Sequence, residues 1–210
     1  MKQHYRILQF AVIFGISAAF IGMSLGTDVY ERVHEGIVEV LCLSCLKLDP
    51  KTSTTYTFET ANNQSHSPFV LDNISEGIVF LHFSEDACPG CDIMLPIIQD
   101  IVSLSFDKND MVSEQISFNN QTISYFYINI DHATEIRSDA LEIYDKRQIK
   151  GLPMFTIISL GYDKGIIRPS YTSLYGTLGL DSDHARQEYI EIVIEEAITI
   201  WEENRPGYIP

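Results

Sequence analysis

The run "GIVFLHF", residues 77–83, is followed almost at once by two cysteines three apart, in "EDACPGC". A nearly continuous apolar run of this length, bounded by Gly77 and by Glu85-Asp86, reads as a strand buried on both faces. From Pro89 to about Leu104 the spacing turns helical, with Ile93, Met94, Ile97, Ile98 and Ile101 as its apolar stripe. Pro96 falls inside that helix and should kink it. Cys88 therefore sits at the corner where a buried strand hands over to a helix. Free N–H groups and the helix dipole favour an anion at such a place. A thiolate is such an anion, so Cys88 should have a lowered pKa and act as a nucleophile. Pro89 suits the first helical position, where its missing N–H costs little. Cys91, close to one turn further on, can attack a mixed disulfide formed on Cys88 and release the partner. This chemistry asks for an exposed first sulfur and a more buried second one.

The rest of the pattern alternates. "TTYTFET" (54–60) is β-branched and aromatic and is a strand candidate. A short helix is expected around Phe69 to Asn73. "SFDKNDMVSEQISFNNQ" (105–121) reads as a polar surface insertion, and "TISYFYINI" (122–130) as the next strand. Residues 134–147 should form a helix with Ile136, Ala140, Leu141 and Tyr144 inward. "GLPMFTIIS" supplies a strand that starts at a proline. "IIRPSYTSLYG" supplies an edge strand, because Pro169 is tolerated only at an edge or bulge. The last helix runs from about Asp183 to Asn204, with Ile190, Val193, Ile194, Ala197 and Trp201 as its buried stripe. The order β-α-β-α-β-α-β-β-α implies an α/β domain, a mixed sheet with helices on both faces.

The N-terminus carries something else. From Ile7 to Gly26 there is no charged residue, while Lys2 and Arg6 precede the run and Asp28, Glu31 and Glu35 follow it. The stretch is long enough to span a bilayer, which favours an uncleaved transmembrane anchor over a signal peptide ending near Ser24 and Gly26. Either reading leaves residues 27 onward outside the cytoplasm. The expected layout is an anchor or signal over 1–26, a membrane-proximal helix over 27–53, and an α/β domain over 54–210. A cleaved signal would make the chain secreted. In a eukaryote the three Asn-x-Ser/Thr patterns at Asn63, Asn73 and Asn120 would suit the lumen of the endoplasmic reticulum. Asp and Glu number 29 against 14 Lys and Arg, so phosphate backbones would be repelled and nucleic-acid binding is not expected.

The four cysteines form two Cys-x-x-Cys pairs, Cys42/Cys45 and Cys88/Cys91. Thiols outside the cytoplasm tend to oxidise, so a redox pair or an inert disulfide fits both. A four-cysteine metal site is a further reading. Zinc pairs usually recur after about 15–20 residues, and Cys45 and Cys88 are much further apart than that. Cys42 and Cys45 lie in the apolar flank "VLCLSCLKLDP", at i, i+3 on one helical face. They are either a second redox pair, a static local disulfide, or half of the metal site.

"IVFLHFSEDACPGCDIMLPIIQDI" resembles the strand, dithiol and kinked helix of the thioredoxin-like family. Pro96, five after the second cysteine, matches that family's helix proline. "INID" (128–131) is similar to the end of its central strand, "IKGLP" (149–153) to the segment carrying its cis-proline, and Gly176 and Gly179 follow the hairpin where the family has a glycine. The resemblance covers about residues 54–204. It implies a membrane-tethered thiol–disulfide oxidoreductase with protein thiols and disulfides as substrates, Cys88 and Cys91 as the redox pair, and a cis bond at Leu152–Pro153 where bound peptide would pair. It calls for no cofactor and no metal, but for a second dithiol or a membrane redox partner to carry electrons. The sequence departs from the family at two places. Ala87 replaces the usual tryptophan, and Pro89-Gly90 reverses the inner pair, which is more like the periplasmic dithiol oxidases of the same fold. His82 stands where thioredoxin keeps a buried aspartate, as a candidate proton carrier or a satisfied core residue. Reductase, oxidase and isomerase all fit this site, and so does a peptide-binding module whose disulfide is not catalytic.

Overall fold

Seven consecutive buried residues, Ile78–Ser84, form strand β1 at the middle of a five-stranded sheet. The computed structural model describes residues 56–205; the N-terminal apolar run, the expected membrane-proximal helix over 27–53 and the Cys42/Cys45 pair lie outside the described residues. Among the described residues no helix is long and apolar enough to cross a membrane. Strands β2 (Val112–Phe118), β3 (Gln121–Asn129), β4 (Met154–Asp163) and β5 (Ile166–Tyr175) complete the sheet in the order β2-β3-β1-β4-β5. β1 pairs parallel with β3, and the other pairings are antiparallel. Among the described residues four helices accompany them: α1 (Pro68–Asn73), α2 (Pro89–Val102), α3 (Glu135–Tyr144) and α4 (Asp183–Asn204). A mixed sheet flanked by helices is compatible with the thioredoxin-like expectation.

Strand alternation divides the core into two layers. Phe80 and His82 share a face with Tyr125, Tyr127, Phe155 and Ile157, their partners across the sheet. Ser159 continues this face and donates to the Ala197 carbonyl of α4, and α2 packs on α4 beside it. The opposite face carries Phe126, which meets Phe69 of α1, and Tyr171, which meets Tyr144 of α3. Because both faces are covered, β1 has no wet side, which is why its sequence does not alternate.

Close pairing of β1 with β3 depends on Gly77. A Cβ placed there would stand 2.1 Å from the Thr122 carbonyl oxygen, a backbone atom that cannot step aside. Gly77→Ala is therefore expected to cost about 3 kcal/mol, the upper range for overpacking. Denaturant unfolding reads this directly; a midpoint equal to the parent's would contradict the packing described.

Three expectations are corrected. Residues 112–118, expected within a polar insertion, form the edge strand β2, whose Val112, Ile116 and Phe118 lean on the core. The signal was present: Asn119 and Asn120 both take positive φ, 49° and 65°, the turn that joins two-residue hairpins. The candidate strand over 54–60 appears, among the described residues, as one antiparallel bridge from Thr57 to Tyr171. Ile136, expected inward, is 62 % exposed, while Ala140, Leu141 and Tyr144 are buried as expected. β5 does lie at the sheet edge, with Pro169 opposite Leu160, and α4 has the expected bounds.

Candidate active site

Cys88 is the N-cap of α2, and Pro89 fills the first helical turn behind it. The chain leaves β1 at Ser84, crosses Glu85 to Ala87, and turns into the helix at Cys88. Cys88 and Cys91 are joined in a disulfide with their Cα atoms 5.2 Å apart. The Cys88 Sγ accepts the Cys91 backbone N–H at 3.0 Å, and its carbonyl accepts the N–H groups of Cys91 and Asp92. This is the place where the helix end holds partial positive charge.

The two cysteines differ in exposure in the expected sense, 5 % for Cys88 and 1 % for Cys91, but Cys88 is nearly buried rather than open. A proline loop lies close to the same turn, at Gly90. Leu152–Pro153 is a cis peptide, and a Cβ on Gly90 would meet Pro153 Cδ at 3.0 Å and the Leu152 carbonyl oxygen at 3.8 Å. Glycine at position 90 lets the dithiol turn and the proline loop approach this closely. The Pro153 carbonyl accepts from Gly176 N–H at 2.8 Å, which fixes the loop to the end of β5. Gly176 and Gly179 both have positive φ, as a turn at that position requires.

His82 lies two residues before the end of β1, on the face covered by α2 and α4, and is fully buried. Its Nδ1 is 3.1 Å from the Tyr125 hydroxyl, and its Nε2 has no hydrogen-bond partner. The rings of Tyr127 and Phe155 pack on it at 4.9 and 4.8 Å. Burial away from water pushes its pKa down to about 3, so it is neutral at pH 7. A charged His82, which would stabilise a neighbouring thiolate, is not the resting form. Cys42 and Cys45 lie outside the described residues.

Sequence reasoning missed a polar brace around the dithiol turn. Lys108, from the loop before β2, donates to the Asp86 carbonyl at 2.6 Å and to the Asp92 carboxylate at 2.5 Å, so it spans the two flanks of Cys88–Cys91. The Lys108 carbonyl in turn accepts from Tyr127 Oη and Asn129 Nδ2. Asp86 accepts from Asn129 and pairs with His132, and these partners hold its carboxyl below the usual range. No local spacing links Lys108 to Asp86 and Asp92; the signal appears only once β2 and β3 are paired. The surface beside the dithiol is partly apolar, with Ile93 and Ile149 exposed. Compared with known proteins, the chain matches no protein-family model and no curated protein.

Proposed function

We propose that this chain is a thioredoxin-like thiol–disulfide oxidoreductase, tethered outside the cytoplasm by its N-terminal apolar run and acting on protein clients. The observation that carries the reading is the Cys88–Cys91 disulfide at the N-terminus of α2, with Gly90 of its turn close to the cis-proline loop. In the reducing direction the Cys88 thiolate attacks a client disulfide, forming a Cys88–client bond and expelling one client sulfur as thiolate. Cys91 loses its proton and attacks Cys88 Sγ, which closes the intramolecular disulfide and releases the second client thiolate. The client gains two electrons and the dithiol loses them; a second dithiol or a membrane redox protein restores it. The oxidising direction runs the same steps backwards. Leu152 and Pro153 seat the client strand. His82 is the proposed acceptor for the Cys91 proton: its Nε2 is without a hydrogen-bond partner, and the thiolate left on Cys91 would offset the charge it takes on.

A second reading, a peptide-binding module with an incidental disulfide, draws support from the small exposure of Cys88. Trapping separates the two. With Cys91→Ala, an oxidoreductase accumulates client adducts on Cys88 that a reductant releases. A binder captures the same partners with Cys88→Ser as well, and a chain that forms no reducible adduct is not an oxidoreductase.

A further inference from the structure

A cavity of about 430 Å³ opens beside the proline loop, lined by Arg147, Leu174, Tyr175, Leu178, Leu180 and Tyr189 among others. It adjoins the dithiol through a short chain of contacts. Gly90 lies close enough to Pro153 that a Cβ there would stand 3.0 Å from its Cδ, the Pro153 carbonyl holds Gly176 N–H, and Tyr175 and Leu178 on either side of Gly176 line the cavity. A client strand seated against Pro153 would therefore place a neighbouring side chain in it.

The charge of this cavity runs against that of the chain, which is −15 overall. Arg147 lines it with its guanidinium 5.2 Å from the centre of the Tyr175 ring. Among the described residues Arg147 makes no ion pair. Its neighbours are committed: Lys150 pairs with Glu142, and Arg186 pairs with Asp183 while donating to the carbonyls of Thr177 and Leu180, which stiffens the cavity wall. Asp145, beneath the floor, has both carboxylate oxygens engaged, one by Tyr175 Oη and one by Lys150 N–H. Arg147 is thus held by stacking and by its backbone N–H to Tyr175 Oη at 3.1 Å, with its charged edge left for a ligand.

We propose that this cavity is a specificity subsite for an extended client segment carrying Asp or Glu within two residues of its reacting cysteine, with Arg147 pairing the carboxylate. The inference rests on the oxidoreductase reading and names its client class.

The test uses the full chain with Cys91→Ala and with Cys42→Ala and Cys45→Ala, so that Cys88 is its one thiol. Nine-residue peptides carry one cysteine in mixed disulfide with an aromatic thiol and differ at one flanking position, Glu, Gln or Lys. When the Cys88 thiolate attacks the peptide sulfur, a Cys88–peptide disulfide forms and the coloured aromatic thiolate leaves, so the absorbance gives the rate of attack. The Glu peptide should react about two- to fivefold faster than the Lys peptide at low salt, the upper range for one exposed ion pair. The ratio should shrink at high salt. Arg147→Glu should invert it. The net negative charge of the chain acts on the parent and the variant alike, so their comparison carries the test. A ratio that Arg147→Glu leaves unchanged overturns the subsite while the oxidoreductase stands. If no peptide releases thiolate although Cys88 counts as a free thiol, the oxidoreductase reading fails. The subsite is then read by fluorescence anisotropy on peptides with serine for cysteine. Tighter binding of the Glu peptide, reversed by Arg147→Glu, supports a carboxylate site without exchange chemistry, and equal binding overturns it.

Discussion

Cys88→Ser is expected to lower disulfide exchange by about a thousandfold or more, to the rate of the uncatalysed reaction, with the fold intact. A serine hydroxyl at the helix N-terminus cannot ionise near neutral pH and cannot form the mixed disulfide, so no partial activity should remain. Stability should change little. The Cys88–Cys91 ring spans a separation of three residues, and closing so short a loop is worth about 2 kcal/mol at most in the chain-entropy account. Both cysteines are buried, but serine is close in size to cysteine and the large side chains of the core, from Phe80 and Phe83 to Met94 and Ile98, are unchanged. Cys91→Ser should differ in kind: the first attack survives, release fails, and the adduct accumulates on Cys88. Insulin reduction and refolding of a scrambled disulfide protein read the two directions, and thermal unfolding reads the fold. Turnover that persists in Cys88→Ser would remove the nucleophile from the account.

How much of this was legible follows from how local each signal is. β1, the dithiol, Pro96 and α2 form one contiguous stretch whose periodicity changes from buried run to helical stripe, so strand, corner and helix could be placed from residues 77–104 alone. The Pro153 loop was legible only through a resemblance, because nothing within "IKGLP" fixes a cis bond or says what it faces. β2 was obscured by its place at the sheet edge, where Ser113, Glu114, Gln115 and Ser117 remain exposed or nearly so. An edge strand reads as a polar loop unless the Asn119-Asn120 turn is given weight. Ile136 shows the opposite failure: its spacing is helical, but α3 turns that side to solvent. The brace from Lys108 to Asp86 and Asp92 is tertiary throughout. His82 was found by position, yet its protonation state depends on Tyr127 and Phe155 closing over it, and these come from strands 45 and 73 residues away.

That protonation state has the second large consequence, a loss of stability in mild acid. The folded protein holds His82 neutral down to about pH 3 and His66, half-covered beside Tyr144, down to about pH 4. Once unfolded, both titrate near 6.5. Their folded pKa values are depressed, so the unfolded chain binds more protons throughout the window between the two values. Stability is therefore fully present above about pH 6.5 and falls as the pH drops towards 4, by up to about 1.4 kcal/mol per pH unit for each histidine. His66 is the less enclosed and should contribute the smaller share. At pH 4.5 the combined loss should be of order 4 kcal/mol, a large part of the 5–15 kcal/mol that holds a typical domain together. The carboxylates with lowered pKa, Glu59 and Asp86, act in the same direction but at lower pH, so they do not confuse the upper window. Denaturant unfolding at half-unit steps from pH 7.5 to 4.5 measures the slope. His82→Gln, which keeps a polar group for the Tyr125 hydroxyl but cannot be protonated, should flatten the slope by nearly one proton; an unaltered slope in that variant would mean that His82 is hydrated and charged in the folded chain. The same enclosure bears on the proposed proton transfer: a histidine that resists charging at equilibrium would take a proton only as the Cys91 thiolate forms. Acid should then slow the resolving step through the cysteines' own titration rather than through His82, and the His82→Gln protein should keep the parent's lower pH limit for exchange while losing rate at its plateau.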